Sequence, residues 1–110
     1  MPELPEVETT KNILAPWVEG QRVKEIIVRN SHLRIPVGSE ILRLKGRCIA
    51  RVMRRAKYLV MELTGGGYLV IHLGMTGYFK ILTKECPPGK HDHIDLVLQN
   101  GAILRFNDSR

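Results

Sequence analysis

Ile94-Asp-Leu-Val-Leu98, Asn100-Gly101 and Ala102-Ile-Leu-Arg-Phe106 form the stretch whose reading decides the fold. Two short runs rich in β-branched and large apolar residues flank an Asn-Gly pair. Asn-Gly is the favoured two-residue hairpin turn, because both residues tolerate positive φ. The same grammar extends backward. Tyr58–Leu63 reads as a strand, Thr64–Gly67 as a tight glycine turn, and Tyr68–Leu73 as the returning strand. Gly77–Leu82 is a further strand, and Cys86–Lys90 a loop around Pro87-Pro88-Gly89. Val23–Val28 reads as a strand, Cys48–Arg54 alternates loosely, and Ser39–Leu44 suits a short helix after the Val37-Gly38 turn.

The first twenty residues have a different character. Pro5 suits the first turn of a helix, where its missing N–H would be unpaired anyway. Val7, Leu14, Trp17 and Val18 approximate one apolar face. Pro16 argues for a distorted or ending last turn, and Gly20 closes the segment. This predicts a helix over about residues 5–18. The chain shows no internal repeat, low-complexity tract or linker. It reads as one mainly β domain, an antiparallel β-sandwich with an N-terminal α-helix and a second short helix.

The 110 residues allow one domain with a modest core, and 44% hydrophobic content argues against disorder. Seventeen Lys and Arg against eleven Asp and Glu give a formal charge of +6, which favours an anionic partner without proving one. Aromatics at 5% weaken any mode of binding built on stacking single-stranded bases. Cys48 and Cys86 lie far apart with no cysteine at metal spacing, so no structural metal site is expected in this chain. Two cysteines and no secretory segment suggest a reducing, cytoplasmic setting. No apolar run approaches a membrane span. The ending Asn107-Asp108-Ser109-Arg110 fits an excised piece of a larger protein at least as well as a complete domain.

Five places could carry chemistry. Removal of Met1 would leave Pro2 as a secondary amine, with carboxylates at Glu3 and Glu6. An α-amine titrates near ~8, so a useful fraction is neutral and nucleophilic at cell pH. A neighbouring carboxylic acid can protonate a leaving group or ring oxygen. On residue chemistry alone, a processed start followed by a helix cap is the favoured reading. Arg47, Arg51, Arg54, Arg55 and Lys57 form a basic run. Charge protection of a strand edge is its commoner use, and a phosphate-contacting rim the functional one.

The loop His72-Leu-Gly-Met-Thr-Gly77 interrupts two strands, and its glycines permit a sharp exposed turn. Met75 taken alone is more often a core filler, but an apolar loop tip near basic residues is what a base-stack wedge requires. His72 reads as a local hydrogen-bonding residue. In Lys90-His-Asp-His93 the two histidines alternate about Asp92, without a third ligand at motif spacing. His91 is better read as a phosphate or backbone donor. Asp108 and Arg110 form either a surface pair or a device that presents Arg110 to a groove.

Taken together and in order, Pro2-Glu-Leu-Pro-Glu-Val-Glu8, Arg54-Arg-Ala-Lys57-Tyr58, the His72–Gly77 loop, Lys90–His93 and Asn107–Arg110 resemble the bacterial formamidopyrimidine-DNA glycosylases. The resemblance runs through the whole chain, and five ordered motifs are far more specific than any one. It implies a bifunctional base-excision enzyme that removes 8-oxoguanine and ring-opened purines from damaged double-stranded DNA and then cuts the strand by β,δ-elimination. By resemblance, Pro2 is the Schiff-base nucleophile, Glu3 the acid at the sugar ring oxygen, and Glu6 a second carboxylate that orders the site. Lys57 is the β-elimination lysine. Met75 and Arg110 fill the gap left by the flipped base, and His91 and Arg110 contact DNA.

The resemblance also implies parts that are not in this sequence: a helix–two-turn–helix element, a zinc finger with the family's one zinc and δ-elimination arginine, and a third gap-filling phenylalanine. Residues 1–110 are therefore expected to be an N-terminal catalytic domain that needs no cofactor of its own. Alone, it should be a monomer with an apolar surface where the missing part would dock, weak salt-sensitive DNA binding and negligible glycosylase turnover. An endonuclease VIII-like glycosylase for oxidised pyrimidines and a non-catalytic basic DNA-binding β module are the alternatives.

Overall fold

The computed structural model describes residues 4–29, 39–74 and 76–109. Helix α1 spans Leu4–Val18. Seven strands follow: β1 Val23–Val28, β2 Ile49–Arg55, β3 Tyr58–Leu63, β4 Tyr68–His72, β5 Tyr78–Leu82, β6 Asp92–Leu98 and β7 Ile103–Asn107. The expected second short helix is a 3-10 helix, Ser39–Leu44. The strands make two antiparallel sheets, a four-stranded one ordered β1-β6-β7-β5 and a three-stranded meander β2-β3-β4. Their apolar faces share one core. Ile26, Leu96, Leu98 and Leu104 from the first sheet meet Ile49, Val52, Leu59 and Met61 from the second.

Helix α1 buries Val7, Leu14 and Val18, a stripe at spacings of seven and four that matches the helical period. Trp17 is 40% exposed and does not belong to that stripe. Asn12, the residue four before Pro16, forfeits a helical hydrogen bond, yet the helix continues to Val18. Gly20, at φ +80°, then turns the chain, and its N–H donates to the Ile49 carbonyl at 2.7 Å. Glu19 Oε2 accepts from the Val52 N–H at 2.9 Å. The helix end is thereby fixed to β2.

The β6–β7 connection differs from the expected two-residue turn. Leu98 N–H donates to the Ala102 carbonyl, Gly101 N–H donates to the Leu98 carbonyl, and Gly101 has φ +92°. This is a three-residue loop closed by a left-handed glycine. Asn100 holds it: its Oδ1 accepts from Ala102 N–H at 2.9 Å, and its Nδ2 donates to the Trp17 carbonyl at 3.3 Å. The longer loop sets the register Leu96↔Leu104 and Asp95↔Arg105.

Candidate nucleic-acid interface

The β2–β3 hairpin presents Lys57. Arg55 pairs with Tyr58, so Ala56 and Lys57 form a two-residue loop. Ala56 sits at φ +52°, an uncommon conformation for a residue with a Cβ. Lys57 is exposed, with Nζ 5.9 Å from the centroid of the Tyr58 ring. Tyr58 in turn stands opposite His72 at the end of β4, with ring centroids 5.4 Å apart. The hairpin tip and the start of the 72–77 loop are therefore neighbours.

Most of the basic run has internal work, which argues against the phosphate-rim alternative for the run as a whole. Arg47 Nη2 donates to the Thr64 and Gly66 carbonyls. Arg51 pairs with Glu62 at 2.6 Å. Arg54 Nε reaches Glu8 Oε1 of α1 at 2.8 Å, while its Nη1 donates to the Ala56 carbonyl at 3.0 Å. Hydrogen bonds from Lys11 and Arg54 hold the Glu8 carboxyl below its ordinary range. Arg54 thus ties the first turns of α1 to the loop that carries Lys57. Glu6 lies exposed in the first turn of α1, and its carbonyl accepts from Thr10 Oγ1 at 3.0 Å.

The 72–77 loop rests on a small apolar seat of Leu73, Ile94 and Phe106. Its two glycines serve different purposes. Gly74 has φ +67°, the conformational freedom anticipated from sequence. Gly77 is required for space: a Cβ there would stand 2.3 Å from the Leu73 carbonyl oxygen and 3.0 Å from Phe106 Cζ.

Thr76 Oγ1 donates to Asp108 Oδ1 at 2.5 Å. Asp108 is 9% exposed, which argues against the surface-pair alternative for it. Its N–H donates to the His91 carbonyl at 3.1 Å, and its own carbonyl lies 2.6 Å from His93 Nε2. His93 occupies a β-bulge, since Asp92 pairs with Asn107 but Ile94 pairs with Phe106. The bulge buries His93 and leaves His91 half-exposed. Their rings meet edge to face, 6.3 Å apart. Among the described residues, no group of three or more His, Cys, Asp or Glu side chains could hold a metal ion.

A buried ionic network underlies His91. Arg105 makes two hydrogen bonds to Asp95, and its Nη2 also donates to the Cys86 carbonyl at 2.9 Å. Asp95 also meets Arg29 at 2.6 Å. Asp92 accepts from Gly89 N–H at 2.7 Å, Asn107 Nδ2 at 2.9 Å and Lys80 Nζ at 3.0 Å. Burial raises the Asp92 and Asp95 carboxyls, but these donors outweigh it and hold both below the ordinary carboxylate range. The network pins the 86–89 turn immediately before Lys90-His91. Sequence reading passed over it, although the charges at Asp95 and Arg105 inside apolar strands were a signal.

Pro2, Glu3, Met75 and Arg110 lie outside the described residues. The described residues bring the other segments into one neighbourhood. Tyr58–His72 joins the Lys57 hairpin to the 72–77 loop, and Asp108 joins that loop to His91.

Residues 1–110 match the family model of the formamidopyrimidine-DNA glycosylase N-terminal domain. The chain belongs to this family. It is 51% identical over its full length to formamidopyrimidine-DNA glycosylase of Sodalis glossinidius and 54% identical to that of Shewanella amazonensis. It spans 40% of the length of each. Among solved structures, Lactococcus lactis Fpg bound to DNA containing an abasic site superposes with a TM-score of 0.89 at 31% identity. The match covers 99% of this chain and 41% of that one. MutM bound to DNA with carbocyclic 8-oxo-G gives a TM-score of 0.88 at 32% identity, covering 99% of this chain and 41% of that one. These structures share the two-sheet fold of this chain, and no helix among the described residues is long and apolar enough to cross a membrane.

Proposed function

We propose that this chain is the N-terminal catalytic domain of a DNA glycosylase and abasic-site lyase that removes 8-oxoguanine and formamidopyrimidines from double-stranded DNA. The observation that carries the reading is the family match over all 110 residues, with the Pro2-Glu3 start and Lys57 in their motifs. After loss of Met1, the Pro2 nitrogen attacks C1′ and the bond to the damaged base breaks. Glu3 protonates the sugar ring oxygen, the ring opens, and Pro2 is left as an iminium on C1′. The iminium acidifies the proton on C2′. Loss of that proton expels the 3′-phosphate, which is β-elimination. Lys57 assists from the hairpin tip, beside the flanking phosphate. A second elimination at the 5′ side requires the part of the protein beyond this chain.

A duplex base must be extruded before this chemistry, and the vacancy must be filled. In this reading Met75 and Arg110 fill it, and His91 contacts the backbone. Support comes from the connected neighbourhood of Lys57, the 72–77 loop, His91 and Asp108. A non-catalytic basic binder accounts for the +6 charge equally well. It does not call for a Pro2-Glu3 start.

The test uses the full-length protein and duplexes with and without 8-oxoguanine. The proposal expects incision of the lesion duplex alone, abolished by Pro2→Gly with duplex binding retained. Equal binding of both duplexes without incision would favour the non-catalytic module.

A further inference from the structure

Asp108 uses all three of its polar groups, one on the 72–77 loop and two on the His91–His93 segment. Its carboxylate takes the Thr76 hydroxyl at 2.5 Å, its N–H goes to the His91 carbonyl at 3.1 Å, and its carbonyl meets His93 Nε2 at 2.6 Å. A carbonyl oxygen only accepts, so His93 carries its proton on Nε2. The site is 9% exposed, and solvent competes little for these bonds. The β7 ladder ends at Asn107, and Asp108 makes the next backbone contact, to the His91 carbonyl. Beneath it, Leu73, Ile94 and Phe106 form an apolar seat common to the three segments.

We propose that Asp108 is a positioning residue, a three-way clasp that fixes the 72–77 loop, the His91 segment and the end of β7 relative to one another for engagement of duplex DNA. This rests on the functional reading above. In sequence, Met75 directly precedes Thr76, and Arg110 follows Asp108 by two residues. Two side chains that fill one gap in a base stack must keep a fixed separation. The Thr76–Asp108 hydrogen bond ties together the described residues beside each of them, which lowers the ordering cost of binding. Thr76, His91 and His93, which the clasp holds, take no part in the bond-breaking steps proposed above, so it acts on duplex engagement and not on bond breaking.

The experiment uses the full-length protein and the variants Thr76→Val, Asp108→Ala and Asp108→Asn. Thr76→Val keeps the shape of the side chain and removes only the donor. Asp108→Asn keeps Oδ1 as an acceptor for Thr76. Two readouts are compared: affinity for a duplex with a base opposite a stable abasic analogue, and borohydride trapping on a single-stranded abasic oligonucleotide, which offers no stack to fill.

Thr76→Val and Asp108→Ala should weaken duplex binding about three- to tenfold, the range for net loss of one ordinary hydrogen bond. Asp108→Asn should recover most of that loss, and single-strand trapping should stay within about twofold of wild type for all three. Duplex affinity unchanged in Thr76→Val would overturn the proposal. Equal losses on both substrates would also overturn it, by marking general damage to the fold. Wild-type protein that is not trapped on the single-stranded abasic oligonucleotide would instead overturn the functional reading, and the clasp with it.

Discussion

Arg105 faces Asp95 directly across β6 and β7, and the guanidinium and carboxylate meet through hydrogen bonds of 2.9 and 3.0 Å with only 4% and 2% of the two residues exposed. Removing Arg105 leaves the buried Asp95 carboxylate with Arg29 alone, at a cost toward the lower end of the about 3–5 kcal/mol for breaking a buried pair. Arg105→Met should therefore lower the urea midpoint strongly and free the 86–89 turn, whose Cys86 carbonyl it holds. Equilibrium unfolding measures the first effect and amide hydrogen exchange the second. A variant within about 1 kcal/mol of wild type would show that the pair contributes little.

The same network predicts the acid limb of stability. Asp92 and Asp95 ionise at lower pH in the folded chain than in the unfolded one, where the ordinary value is about 3.9. The unfolded chain therefore takes up protons first as pH falls. The stabilisation is complete at neutral pH and is lost progressively from about pH 4 downward. Urea midpoints recorded between pH 7 and 2.5 should fall in that window, and Asp92→Asn should flatten the fall. A midpoint that rises as pH drops from 5 to 3 would contradict the assignment.

Gly77 and Gly74 should respond differently to substitution. Gly77→Ala places Cβ 2.3 Å from the Leu73 carbonyl oxygen, so backbone must move, at about 1–3 kcal/mol or more. Gly74 needs only its positive φ, which asparagine tolerates, and no atom lies within 4 Å of where its Cβ would stand. Gly74→Asn should stay close to wild type in thermal melts while Gly77→Ala falls by several degrees. The reverse order would mean that the loop is not seated on Leu73 and Phe106 as described.

Arg54 should matter to strand cleavage more than to stability. Its ion pair with Glu8 is solvent-exposed and contributes little to folding. Its second contact, to the Ala56 carbonyl, steadies the loop from which Lys57 extends. In the full-length protein, Arg54→Ala should slow cleavage of a preformed abasic site up to about tenfold through misplacement of Lys57. Arg54→Lys should not restore it, because an ammonium lacks the fork that serves both acceptors. Unchanged cleavage in Arg54→Ala would remove the positioning role.

The strands and the helix were legible because each buries one face of a simple period. Tyr58–Leu63 and Val23–Val28 have the bounds expected from their apolar runs. The order of the four-stranded sheet was not legible, since β1 joins β6 across almost seventy residues and no local pattern announces that pairing. The ionic network was hidden by one residue of loop length. A two-residue Asn100-Gly101 turn would set Arg105 opposite Leu96, whereas the three-residue loop sets it opposite Asp95. The basic run left two readings open for a related reason: a run of arginines shows charge but not which carbonyls and carboxylates lie within reach. Lys57 and His91 were legible as motif members, while the role of Asp108 depends on contacts among three segments distant in sequence.

The central claim is that the Pro2 amine does the covalent chemistry. The direct measurement is borohydride trapping of the full-length, Met1-processed protein on 8-oxoguanine duplex, followed by mass spectrometry of the adduct peptide. The account predicts a covalent protein–DNA product whose modification maps to the nitrogen of Pro2 and disappears in Pro2→Gly. A verified processed protein that gives no adduct, or an adduct on a lysine with Pro2 unmodified, would contradict it.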